Sequence, residues 1–144
     1  MPSSALTVSA SPTDDVLVDE SWLFMRWDHE QGGIFAEWKA FATSEEFRGA
    51  LTKAIEVIRD RRATWFVNDT RKLELITDED QRWILQTWTP QAVAAGLKRI
   101  AIVIAHTGLS KMAVETMFKE QASARVESRT FDSLPDAMQW VARP

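Results

Sequence analysis

The side chains able to do chemistry are few and widely spaced in this sequence. Histidine occurs twice, at His29 and His106, and cysteine not at all. Thiol nucleophiles, disulfides, Cys-based metal sites and a His-rich catalytic zinc site therefore fall away. One constellation remains. Asp69, Thr70 and Arg71 follow the apolar run Trp65-Phe66-Val67, while His106 and Thr107 follow a second run, Arg99 to Ala105. If the two runs are neighbouring parallel strands, these residues meet at the strands' carboxyl ends, where open α/β sheets hold ligands. An Asp beside a His tunes a proton acceptor near neutral pH; the same pair can equally be a bond that holds a loop. No Ser, Cys or metal ligand is positioned by sequence to complete a catalytic set. The region is therefore read as ligand-binding, with no catalytic residue assigned.

Two further clusters carry candidate chemistry. Asp78, Glu79 and Asp80 are consecutive, so on a helix they point in different directions, and acids in a first turn complement the helix dipole. They are read as structural, with Thr77 as the cap. The second cluster is the stretch from Ser110 to Gln121, where Met112, Met117 and Phe118 stand with Leu109 beside Lys111 and Lys119. Methionine-rich surfaces adapt to varied ligands, and a basic amphipathic helix can rest on a membrane; packing over a sheet is the plainer use of the same pattern. This helix is the candidate movable cover over an apolar site. No P-loop, dinucleotide fingerprint or nucleophile elbow occurs, so neither a cofactor nor a metal is expected.

The elements that position these residues are legible from spacing. Val16 to Val18 reads as a short strand and Trp22 to Trp27 as a second. A turn at Gly32-Gly33 follows, then Ile34 to Phe41, whose alternation predicts a half-buried strand of an antiparallel hairpin. Thr43 and Glu46 form a capping box ahead of a helix bearing Phe47, Leu51, Ala54, Ile55 and Ile58 at helical spacing. Trp65 to Val67 is a buried strand stopped by the turn-forming Asn68-Asp69-Thr70. Thr77 and Asp80 suggest a second capping box, and a helix with Trp83, Ile84 and Trp88 follows. Thr89-Pro90 should interrupt that helix, with Thr89 capping a short second piece that ends before Gly96. After the strand at 99–105 and the helix at 110–121, Val126 to Phe131 reads as an edge strand, and Ser133 caps a last helix. The order, a hairpin followed by alternating helices and strands, predicts a single α/β domain: an N-terminal antiparallel hairpin joined to a mixed sheet with helices packed on it. Residues 1–15 are expected to be a disordered tail and residues 16–144 the domain.

Composition limits the function classes. The chain has 144 residues, enough for one domain with a sizeable core. Its net charge of −4 argues against nucleic acid as a partner. No apolar run approaches the ~20 residues of a membrane span. The N-terminus lacks the pattern of a signal peptide, and with no cysteine present a cytoplasmic location is expected. Seven tryptophans suit core packing or a Trp-lined pocket.

Taken together, Trp65-Phe66-Val67-Asn68-Asp69-Thr70-Arg71, Ile76 to Trp83, Gly96-Leu97-Lys98-Arg99-Ile100-Ala101 and the ending Phe131 to Trp140 resemble the SpoIIAA-like family of the STAS superfamily. With the hairpin, these pieces span most of residues 16–142. The resemblance implies a compact domain that acts by binding: a regulatory module for a protein partner or a small apolar ligand, with a homodimer allowed. The family also looks similar to the CRAL-TRIO lipid-binding architecture, which keeps a peripheral membrane or lipid-binding role as an alternative. An enzyme using the Asp69/His106 region is the less favoured alternative. In the family's antagonists a serine at the start of the helix after the central strand accepts phosphate. Here Thr77 is the only hydroxyl in that place, and three carboxylates follow it and would repel a phosphate. Phosphorylation is therefore not expected.

Overall fold

The computed structural model describes residues 15–73, 76–105 and 126–143. Six strands form one sheet in sequence order: β1 (Asp15–Asp19), β2 (Leu23–Asp28), β3 (Gly33–Trp38), β4 (Trp65–Asp69), β5 (Arg99–Val103) and β6 (Glu127–Phe131). The first three are antiparallel neighbours, and β3 to β6 run parallel. The expected architecture, an antiparallel hairpin joined to a mixed sheet with helices packed on it, is what the chain adopts. Asp15, the last residue of the expected tail, opens β1; residues 1–14 lie outside the described residues, as does the expected helix at 110–121.

The turn between β2 and β3 needs two glycines for two different reasons. Gly32 has φ +72°, a left-handed conformation that glycine adopts without strain. Gly33 instead lies under the Trp65 indole, where a Cβ would overlap the ring. Asp28 accepts from the N–H of Glu30 and of Gln31, closing the turn.

Helix α1 (Ser44–Arg61) forms where its spacing predicted. Thr43 Oγ1 accepts from the Glu46 N–H and Glu46 Oε1 accepts from the Thr43 N–H, the complete capping box. Its buried stripe includes Phe47, Leu51, Ala54, Ile55 and Ile58. This stripe packs on one face of the sheet, against Leu23, Met25, Ile34, Ala36, Trp38, Phe66 and Ile100. Helix α4 (Leu134–Val141) packs against the other face, where Phe35, Trp65, Val67, Ala101 and Val103 lie. Ser133 Oγ accepts from the Asp136 N–H at its start.

Three local expectations need correction. Strand β3 is not half-buried: Phe35 is as fully enclosed as Ile34 and Ala36, because β2 and β4 flank the strand and both faces carry core. Strand β4 does not stop at Asn68; it runs through Asp69, and Asn68, Asp69 and Thr70 are all buried. Turn propensity lost to the ladder with β3 and β5 on either side.

Nor does Thr89-Pro90 break the helix. Helix α2 (Asp78–Trp83) continues through a π-helical turn, Ile84–Trp88, into α3 (Thr89–Ala95). Thr89 is itself helical, inside the segment it was expected to cap; its N–H reaches back five residues to the Ile84 carbonyl. A wider turn accommodates the proline, which has no N–H and whose ring would crowd the carbonyl four residues earlier. Gly96, with φ +110°, ends α3 as expected.

Candidate functional site

One face of β3, β4 and β5, helix α1 and the π turn leave a cavity between them. It measures ≈ 50 Å³, against the roughly 10–15 Å³ that a single water needs. Its walls are apolar: Phe47 and Leu51 from α1, Phe66 from β4, Ile100 and Ile102 from β5, Leu73 and Ile76 from the connection ahead of α2, and Ile84 and Trp88 from the π turn. Both π-turn residues that are buried thus face this space, and π turns recur at functional sites. Trp88 Nε1 donates to the Leu51 carbonyl at 2.7 Å, which fastens the turn to α1.

Among the described residues, Trp38 and two polar side chains, Asn68 and Thr70, also line it. Thr70 Oγ1 donates to the Val103 carbonyl at 2.8 Å, and the Thr70 N–H bonds the same oxygen. Asn68 Oδ1 accepts from Trp38 Nε1 at 2.9 Å, a buried bond. Because an indole N–H only donates, this contact fixes which end of the amide is oxygen. The Asn68 NH₂ group makes no hydrogen bond among the described residues, although Asn68 is only 6% exposed. It is nevertheless not sealed off, since no enclosed side-chain nitrogen or oxygen among the described residues lacks a partner.

Asp69 and Arg71 lie apart from this cavity. Successive strand residues point to opposite faces, so Phe66, Asn68 and Thr70 share one side while Trp65, Val67 and Asp69 share the other. The Arg71 guanidinium grips Asp69 in a fork, Nε to Oδ1 at 2.9 Å and Nη2 to Oδ2 at 2.7 Å, and the Arg71 N–H adds a bond of 3.2 Å. Hydrogen bonding to Asp69 pushes the Arg71 guanidinium upward from its ordinary value against an opposing effect of burial, and Glu37 adds to the rise. Glu37 lies beside Asp69 in the sheet register. Glu37, Asp69, Arg71 and Lys72 line a polar cleft of ≈ 280 Å³ in which the charges balance.

The sequence-derived set is therefore divided. Strands β4 and β5 are parallel neighbours, as the reading required. Of its residues, Thr70 reaches the apolar cavity, Asp69 and Arg71 bind each other, and His106, Thr107, Met112, Met117 and Phe118 lie outside the described residues. Sequence reasoning passed over Asn68, Trp38, Trp88 and Ile84 as site residues. A period-2 reading carried past Val67 would have placed Asn68 with Phe66 and Thr70.

The acidic cluster behaves as structure. Thr77 Oγ1 accepts from the Asp80 N–H at 3.1 Å. Asp80 does not return the bond to Thr77; its buried carboxylate accepts from Ser44 Oγ at 2.7 Å and Arg48 Nε at 2.8 Å, joining α2 to α1. Glu79 is 3.6 Å from Arg48. No three His, Cys, Asp or Glu side chains gather as a metal site among the described residues. No helix among them is long and apolar enough to cross a membrane. No protein-family model matches the chain, and neither does any curated protein.

Proposed function

We propose that this chain is a STAS-like binding module, cytoplasmic and non-enzymatic, that takes a small apolar ligand between α1, the π turn and one face of β4 and β5. The observation that carries the reading is the cavity itself. A close-packed interior leaves few voids larger than a water, and this one lies between the sheet face and α1 beside a π turn, a feature that recurs at functional sites. Binding is favoured over catalysis because the polar groups that the described residues bring to the cavity are an amide and a hydroxyl that already donates to a carbonyl. Asp69, the acid once paired with His106 in the sequence reading, has both oxygens held by Arg71.

Xenon under moderate pressure tests this directly, because dry apolar cavities take it up. Methyl NMR signals of Leu51, Leu73, Ile84 and Ile102 should shift saturably, while those of Leu134 and Val141 on the opposite face stay in place. Shifts that are linear in pressure and spread over both faces would remove the basis for a ligand site.

A further inference from the structure

We infer that the ligand is a neutral molecule whose apolar body carries one hydrogen-bond acceptor, a carbonyl or ether oxygen, read by the side-chain amide of Asn68. The inference rests on the ligand reading above and narrows it to a chemical class.

Three observations lead there. Asn68 is a largely buried residue whose NH₂ group is still reached by solvent. Trp38 occupies its oxygen and thereby turns the NH₂ group away, leaving two N–H donors without a partner among the described residues. The donor is therefore held in one orientation before any ligand arrives, and an acceptor placed there gives it the partner that no described residue supplies. Thr70, the other polar residue of the lining, has spent its hydroxyl proton on Val103, so it adds acceptor capacity and no competing donor.

The charge of the ligand follows from the same walls. No charged side chain among the described residues lines the cavity. A carboxylate or phosphate would be stripped of water with no cation among those residues to meet it, a penalty one amide does not offset. The nearest guanidinium along the chain, Arg71, is committed to Asp69. Size is limited too: ≈ 50 Å³ suits a compact group of a few heavy atoms, and a longer ligand would extend beyond the cavity.

A matched series separates the components: cyclopentane, cyclopentanone and cyclopentanecarboxylate, titrated into the full chain and followed by the side-chain amide protons of Asn68 and the indole N–H of Trp38. Cyclopentanone should bind roughly fivefold more tightly than cyclopentane, the worth of one neutral hydrogen bond, and it alone should shift the Asn68 NH₂ signals. The preference should vanish in Asn68→Leu. Should that variant leave Trp38 unpartnered and unfold, Trp38→Phe/Asn68→Leu removes both partners together and serves instead. Equal affinity for ketone and hydrocarbon would overturn the inference while leaving an apolar site. Tightest binding of the carboxylate would also overturn it, in favour of an acidic ligand. Failure of all three to bind, with xenon likewise excluded, would sink the ligand reading itself.

Discussion

The two faces of the sheet are built from the same strands and packed to different degrees. On the α4 side, Phe35, Trp65, Val67, Ala101 and Val103 meet Leu134, Ala137, Trp140 and Val141 in one cluster. On the α1 side the core is larger, but it is interrupted by the cavity beside the π turn. The difference lies in how the helices are made. Helix α4 is a single regular helix with its cap on Ser133. The α2–α3 segment must pass Pro90, and the π turn that lets it do so changes where Ile84 and Trp88 enter the core. The cavity lies beside this irregular segment, and Asn68 of β4 and Thr70 just beyond it line it from the sheet.

Matched truncations give the largest test of this contrast. Phe35 and Phe66 are both fully buried, one on each face. Each Phe→Ala change should cost about 3–5 kcal/mol, with Phe35→Ala at the upper end. Phe66 borders a void and has fewer contacts to lose. Equal losses in urea unfolding would mean that the α1 face is as tightly packed as the other.

Enlarging side chains should reverse the order. Ala137→Leu on the α4 face has no space to fill and should cost about 1–3 kcal/mol. Ile84→Phe should fall within about 1 kcal/mol of the parent, because the added atoms enter the cavity. The same variant should lose the saturable xenon response. A penalty for Ile84→Phe as large as that for Ala137→Leu would break the comparison.

The bond that fixes α2 to α1 gives an effect of similar or smaller size. Asp80→Ala leaves Ser44 and Arg48 without their acceptor, and should cost about 1–3 kcal/mol. Because the α2 segment borders the cavity, amide exchange at 84–88 should rise more than at 48–58. Uniform acceleration across both segments would indicate that Asp80 does not act locally.

The smallest effect belongs to the sheet's outer edge. Arg61, at the end of α1, hydrogen-bonds Asp15 of β1 and holds its carboxyl below the usual aspartate range, with a further contribution from His29. A lowered folded-state value means that the contribution is complete above the unfolded value and fades as pH falls through the folded one. Asp15→Asn should therefore be slightly less stable than the parent at neutral pH, and the difference should shrink toward zero as pH falls through the lowered folded-state value. A parent-to-variant difference that grows on acidification would contradict this pairing.

Much of the domain was legible from residue order. Spacing and caps located α1, since Thr43 and Glu46 satisfy each other within one turn and its apolar stripe needs only a sheet to cover. The strands were legible for the same reason: β-branched and aromatic runs bounded by turns form ladders whatever lies above them. What sequence could not supply were choices between local preferences and partners distant along the chain. Asn68 has turn propensity, yet it is a strand residue because β3 and β5 hold β4 on both sides. Asp80 had a capping role open to it nearby, and gave its carboxylate instead to Ser44 and Arg48, 36 and 32 residues earlier. Thr89-Pro90 read as a helix end, and became part of a continuous helix because packing of Trp88 against Phe66 and its bond to Leu51 favour a wider turn over a break. The sequence by itself determined the elements and their order, since those follow from periodicity and local bonding. Tertiary structure decided the cavity and the orientation of the Asn68 amide beside it, because both depend on side chains distant along the chain, Trp38 and Trp88 among them.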